Sequence, residues 1–111
     1  MGLKYRVYLD GKKVYGCSKC RSHLSTGDKV ISKDFQGQHG QAYLFHRVVN
    51  IREGDEHLER TMTTGRHRIA SIKCIRCSTT LGWKYIKAYE EQQKYKEGKY
   101  ILEKNLLKLV Q

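Results

Sequence analysis

Cys17-Ser18-Lys19-Cys20 and Cys74-Ile75-Arg76-Cys77 are the residues of this chain with the plainest chemistry. Two residues between cysteines let both sulfurs of a pair reach one tetrahedral ion at about 2.3 Å, and two such pairs fill a structural zinc site. A shell filled by four sulfurs has no open position for a substrate, so the zinc expected here is structural. The stretch between the pairs, residues 21–73, is longer than in a simple zinc ribbon. The extra length adds only about 1 kcal/mol of closure entropy, against on the order of 10 kcal/mol from a structural zinc. The competing readings are two redox dithiols or four unrelated buried thiols. A redox pair usually opens a helix in a strand–helix unit, a setting neither pair has. Lys19 and Arg76, inside the pairs, favour thiolate over thiol.

Trp83, the only tryptophan, follows soon after Cys77. Side chains alternate along a strand, so in "LGWKYI" Leu81, Trp83 and Tyr85 share one face. Gly82 beside the indole lets a backbone or a ligand approach closely. A metal that fixes Cys77 also fixes the start of this strand and the place of the indole. Trp83 then has two readings, a core side chain or the base of a small cage. "FQGQHGQ" is a polar loop that offers Phe35, Gln38, His39 and Gln41 as further cage residues. "MTTGRHR" is a glycine turn that offers His67. His23, His46 and His57 read as ordinary surface or hydrogen-bonded residues. Catalysis has little to stand on: zinc uses every cysteine, and a thiol mechanism needs a further one as nucleophile. Ser71 and His67 lie near one another in sequence but lack a third partner. No enzyme activity is expected.

These residues must be held by strands, because turn signals recur at short spacing throughout the chain. Strands are predicted near Tyr5–Leu9, Val14–Gly16, Lys29–Phe35, Ala42–Ile51, Leu58–Thr63, Arg68–Lys73, Leu81–Ile86, Lys99–Glu103 and Leu106–Val110. Asp10-Gly11, Thr26-Gly27-Asp28, Gly37 to Gly40, Glu53-Gly54-Asp55, Thr64-Gly65-Arg66 and Glu97-Gly98 are the turns between them. "AYLFHRVVNI" has apolar residues on both faces, as in a central strand. Only "KAYEEQQKYK" looks helical, ended by Gly98. The pattern predicts one mainly β, antiparallel domain over residues 1–111.

With 39% apolar residues the chain can build one core, to which a metal staple is a plausible supplement. No apolar run approaches the ~20 residues needed to cross a bilayer, and no secretory signal is visible. An intracellular protein without membrane contact is expected, and in a reducing compartment paired cysteines favour metal over disulfides. Lys and Arg outnumber Asp and Glu by 22 to 11, a formal charge of +11 that attracts phosphate polyanions. Such charge reads either as a solvated surface or as a nucleic-acid face. Interleaved bases and tyrosines in "GWKYIKAY" and "QKYKEGKY" could stack on bases while contacting phosphates.

Taken together, "CSKCRSHL", "FQGQHGQAYLF", "RVVNIREGDEHLERTMTTGRHRIASIKCIRCSTTLGWKYIKAYE" and "QKYKEGKYILE" resemble the yippee proteins over about residues 14–104. Ser71-Ile72 departs from the family pattern, which has Asp-Ile there. The resemblance implies a zinc-stapled β-tent of two antiparallel sheets roughly at right angles, with one zinc ion on Cys17, Cys20, Cys74 and Cys77. The same architecture is similar to the thalidomide-binding domain of cereblon, to methionine-R-sulfoxide reductases and to an RNA-end-binding sensor domain. Carried over by motif, Trp83 and Tyr85 match the aromatic cage of that architecture. Gln38-His39-Gly40-Gln41 match its polar flank, and Arg66, His67 and Arg68 stand on its third wall. The family context implies a non-enzymatic adaptor or regulator reading a peptide end or modified side chain. It further implies ubiquitin ligase subunits of the GID/CTLH type as partners, cell-cycle or stress roles, and a nuclear and cytoplasmic location. A nucleic-acid-binding protein is the alternative.

Overall fold

Short runs of β-branched and aromatic residues, punctuated by Gly and Asn turns, fold into nine strands in a computed structural model that describes residues 7–110. They are β1 (Val14–Cys17), β2 (His23–Thr26), β3 (Val30–Gly37), β4 (Gly40–Phe45), β5 (Ile51–Met62), β6 (Gly65–Cys74), β7 (Thr80–Ala88), β8 (Tyr100–Glu103) and β9 (Leu107–Leu109). All pairings are antiparallel. β2, β1 and β9 form a three-stranded sheet in that order, and a six-stranded sheet runs β3-β4-β8-β7-β6-β5. The expectation of a mainly β domain of two antiparallel sheets holds.

Several expected boundaries move. His23–Thr26 is a strand that the sequence reading passed over. In the proposed first strand, Val7 to Leu9 are not in a strand, and Tyr5 and Arg6 lie outside the described residues. The expected long strand Ala42–Ile51 stops at Phe45, and β5 begins at Ile51. Asn50 explains the break. It takes a left-handed backbone (φ 58°), and its amide accepts from Val7 N at 2.7 Å while donating to the carbonyls of Val7 and His23, both at 2.7 Å. Glu53-Gly54-Asp55, read as a turn, lies inside β5, where the register with β6 shifts between Glu53 and His57. An inserted bulge satisfies the same Gly signal as a turn. The predicted helix over "KAYEEQQKYK" is replaced by the end of β7 and a six-residue 3-10 helix, Glu91–Lys96. Two three-residue 3-10 helices, Gly27–Lys29 and Lys104–Leu106, complete the elements.

Bulges curl the large sheet. Its two edge strands, β3 and β5, both contribute to one cluster: Phe35 from β3 and Leu58 and Met62 from β5 pack with Ala42, Leu44, Ile69, Tyr85 and Ile101. A second cluster surrounds the cysteines, with Tyr15, Leu24, Phe45, Ile72, Leu81 and Leu102 packed with Cys17 and Cys74. Leu81 belongs to this second cluster and Trp83 to the first. The register shift between Ile72 and Lys73 against β7 makes Leu81 the extra residue, so simple alternation from Leu81 to Trp83 is broken.

Candidate metal centre and binding cavity

Each Cys-x-x-Cys pair forms the turn of a hairpin, and the two turns are built alike. Cys17 ends β1 and Cys74 ends β6. In the first turn Cys17 N donates to Ser22 O at 2.9 Å and Arg21 N to Cys17 O at 2.7 Å. In the second, Cys74 N donates to Thr79 O and Ser78 N to Cys74 O, both at 2.9 Å. Arg21 (φ 65°) and Ser78 (φ 63°), each just after the second cysteine, adopt the left-handed conformation that closes the loop. A hydroxyl follows one residue later: Ser22 Oγ lies 3.2 Å from Cys20 Sγ, and Thr79 Oγ1 lies 3.1 Å from Cys77 Sγ.

The four sulfurs lie within 4.8 Å of one another, with Cys17 Sγ to Cys77 Sγ at 3.6 Å and Cys20 Sγ to Cys74 Sγ at 3.4 Å. Tetrahedral zinc–sulfur bonds of about 2.3 Å put sulfurs about 3.8 Å apart, so the cluster is the right size. Electrostatics point the same way. Burial pushes the Cys17 thiol up to about 12 and also raises Cys74. Burial opposes ionisation at Cys77 as well, but hydrogen bonds from the Thr79 hydroxyl and N–H, and from Cys17 and Cys20, bring it down to about 6. At Cys20 the Ser22 hydroxyl and N–H outweigh burial and lower the thiol. Protein groups alone thus favour only part of the set as thiolates, and a divalent cation supplies what four thiolates require. Because the ligands come half from each sheet, the ion joins the small sheet to the large one.

The second feature is a cavity of about 700 Å³ on the curled face of the large sheet. Phe35, Ile69, Met62, Trp83 and Tyr85 give it apolar and aromatic walls. Trp83 and Tyr85 meet edge to face with ring centroids 6.2 Å apart. Burial pushes the Tyr85 phenol up, against the pull of the neighbouring Trp83 N–H. That indole nitrogen is buried and has no acceptor at hydrogen-bonding geometry. Gly82 does admit a close backbone, and the neighbour is β8: a Cβ on Gly82 would stand 1.9 Å from Ile101 O. The glycine therefore seats β8 against β7.

Four of the proposed cage residues, Phe35, Gln38, Trp83 and Tyr85, line this cavity, and three do not. His39 and Gln41 belong to the tip of the β3–β4 hairpin, which is a tight turn and not a loop. Glu103, itself buried, accepts from His39 N at 2.7 Å, while the Gln41 amide donates to Lys33 O at 2.8 Å. His67 is in β6, only 1% exposed, with its ring 5.1 Å from that of Tyr85, so it backs the wall without lining it. Its Nδ1 lies 3.0 Å from Gly65 O, and a carbonyl only accepts, so Nδ1 carries the proton of the neutral ring. Burial, then the charge of Lys96, hold this imidazole below its ordinary pKa.

Arg66 and Arg68 are not on the third wall either. Both pair with Glu59 on the outer face of the hairpin, at 3.3 and 2.7 Å, and the Arg66 guanidinium covers the Tyr89 ring. Arg60 to Thr64 supply that wall instead. The residue that sequence reasoning missed is Lys96. It reads as one more base in "QKYKEGKY", yet it is 3% exposed and lines the cavity. Ser71, the departure from the family pattern, is half-buried in β6 directly opposite Trp83.

Comparison with known proteins agrees with the metal centre. Residues 13–111 match the family described as Yippee zinc-binding/DNA-binding/Mis18, centromere assembly. Human and bovine protein yippee-like 3 are each 53% identical over 102 residues, covering 91% of this chain and 85% of theirs. Human protein yippee-like 4 is 53% identical over 100 residues, covering 89% of this chain and 78% of its own. The crystal structure of the Mis18 "Yippee-like" domain superposes with a TM-score of 0.69 at 16% identity, over 89% of this chain and 95% of that one. That last likeness is one of fold. Four cysteines of zinc-site geometry on two matched turns, in a chain that matches this family from residue 13 to its last residue, make it a member of the Yippee/Mis18 family with one structural zinc site.

Proposed function

We propose that the chain is a non-enzymatic binding module whose Trp83-walled cavity takes a small group presented by a protein partner, a peptide end or a modified side chain. The observation that carries this reading is the cavity itself. Phe35, Met62, Ile69, Trp83 and Tyr85 set apolar and aromatic walls beside polar side chains that include Asp34, Arg60 and Lys96. Apolar walls with convergent polar groups are the usual makeup of a ligand site. All four cysteines of the chain are spent on the metal centre, which leaves the cavity without a thiol nucleophile. On this reading the module acts as an adaptor or regulator in a larger assembly, such as a GID/CTLH-type ubiquitin ligase, in nucleus and cytoplasm, as the family resemblance implies. No helix among the described residues is long and apolar enough to cross a membrane. Selection from a library of short peptides with free ends, followed by calorimetric titration of the enriched sequence, tests the reading. Wild type should bind and Trp83→Ala should lose at least tenfold in affinity. Identical isotherms would remove the cavity from the function.

A second reading is nucleic-acid binding. It is favoured by a second groove, of about 590 Å³, lined by Lys12, Lys13 and Lys33 with Tyr15, although Asp10 and Asp28 line it as well. The family description also includes DNA-binding. Binding of a duplex or single strand that persists near physiological salt would support it, whereas binding lost above low salt is only the attraction of the +11 charge.

A further inference from the structure

Lys96 ends the 3-10 helix Glu91–Lys96 and points its ammonium group into the aromatic cavity. Long basic side chains normally carry their charge out to water, and a lysine this deeply buried is usually paired. Lys96 Nζ instead stands 5.2 Å from the centroid of Phe35 and 5.3 Å from that of Tyr85. Its hydrogen-bond partner among the described residues is a neutral group, Thr64 Oγ1, at 3.0 Å. The adjacent carboxylate is not available. Glu97 accepts from Ala88 N at 3.0 Å and pairs with Lys94 at 3.7 Å, so the more exposed lysine of the helix takes this counterion. Among the described residues no carboxylate pairs with Lys96.

An ammonium group has three donors, and here one is given to a hydroxyl while two ring faces lie near the charge without offering a lone pair. The same cavity is lined by Trp83, whose indole nitrogen is itself buried. A charged donor that no carboxylate among the described residues pairs with therefore lies beside the ring faces of the cavity, whose remaining lining includes one acid, Asp34, and one further base, Arg60. We infer that Lys96 makes this cavity a receptor for an organic carboxylate, which would complete the ion pair that the fold leaves open. A planar carboxylate could lie against the Phe35 and Tyr85 rings, and a charge-assisted bond to a lysine as buried as Lys96 would be stronger than one in water. The carboxylate could be the α-carboxylate of a peptide end or that of an acidic side chain. This assignment rests on the cavity reading above and narrows it to one class of ligand.

The single tryptophan gives a direct readout, because its indole N–H is one signal in a proton–nitrogen correlation spectrum. The zinc-loaded protein is titrated with N-acetyl amino acids bearing a free α-carboxylate, and with the same compounds as primary amides. A third arm uses N-acetyl-aspartate and N-acetyl-glutamate α-amides, which carry only the side-chain carboxylate. The expected result is a shift of the indole signal with at least tenfold tighter binding of an acid than of its amide. Whichever acid arm binds more tightly identifies the source. In Lys96→Met and Lys96→Gln the preference should fall to within twofold, while Lys96→Arg should keep part of it. Should those variants fail to fold, the acid–amide comparison in the wild type decides alone. Equal affinity for acid and amide, or a preference that survives in Lys96→Met, overturns the carboxylate assignment. An indole that answers acids and amides alike would still leave the cavity a binding site, whereas one that answers no compound at millimolar concentration removes both.

Discussion

Gly82 and His67 show how tightly single residues are specified around the cavity. A methyl group on Gly82 would meet the carbonyl of Ile101, which is backbone of the neighbouring strand and cannot swing aside. Gly82→Ala is expected to lower stability by about 3 kcal/mol, read from urea or thermal unfolding. A variant as stable as wild type would mean that β7 and β8 lie farther apart than described. His67 is buried and neutral, its pKa held below 6.5 by burial and by Lys96. As pH falls the unfolded chain takes up this proton first, so stability should decline across the window below about 6.5. His67→Gln keeps a donor for Gly65 O and removes the titration, so unfolding curves between pH 5 and pH 7 should have a shallower slope, in an interval about as wide as the usual histidine range. An unchanged slope would place the acid sensitivity elsewhere, for example in the cysteine ligands.

The zinc turns are the elements on which the rest depends, and each contains a strained residue. Arg21 and Ser78 have left-handed backbones that a non-glycine residue adopts at a cost of about 1–2 kcal/mol, partly offset by the smaller chain entropy that it loses compared with glycine. Ser78→Gly and Arg21→Gly are each expected to stabilise the zinc-bound protein by about 0.5–1 kcal/mol, and destabilisation would show that their side chains matter more than their φ. These turns were legible in the sequence because thiol chemistry leaves few alternatives at Cys-x-x-Cys spacing. Most strands were legible through alternation and glycine turns. The errors have a common cause. Gly54 in β5 and the extra residue Leu81 in β7 are bulges, and a bulge has the same local signature as a turn or a regular strand until its partner strand is known. The third wall of the cavity was misplaced for a related reason: which face of β6 carries Arg66 and Arg68 follows from register, and only the pairing with Glu59 reveals it. Lys96 could not be told from the surface lysines around it, since its burial depends on how a short helix docks against β7.

At the scale of the whole molecule, one ion joins two sheets. The small sheet contributes Cys17 and Cys20 and the large one Cys74 and Cys77, and the cluster of core residues beneath them includes residues of both. β7 runs from the second zinc turn to Trp83, so the metal centre and the cavity share one strand. A domain of this size, with a net charge of +11, has limited stability to lose, and a structural zinc contributes on the order of 10 kcal/mol. Stepwise removal of zinc by a chelator, followed through the Trp83 indole signal together with the backbone amides, measures this coupling directly. The account predicts that one equivalent of zinc leaves, and that the indole and the amides of both sheets collapse together to unfolded positions. A metal-free protein whose indole and amide signals stay where they were would contradict it.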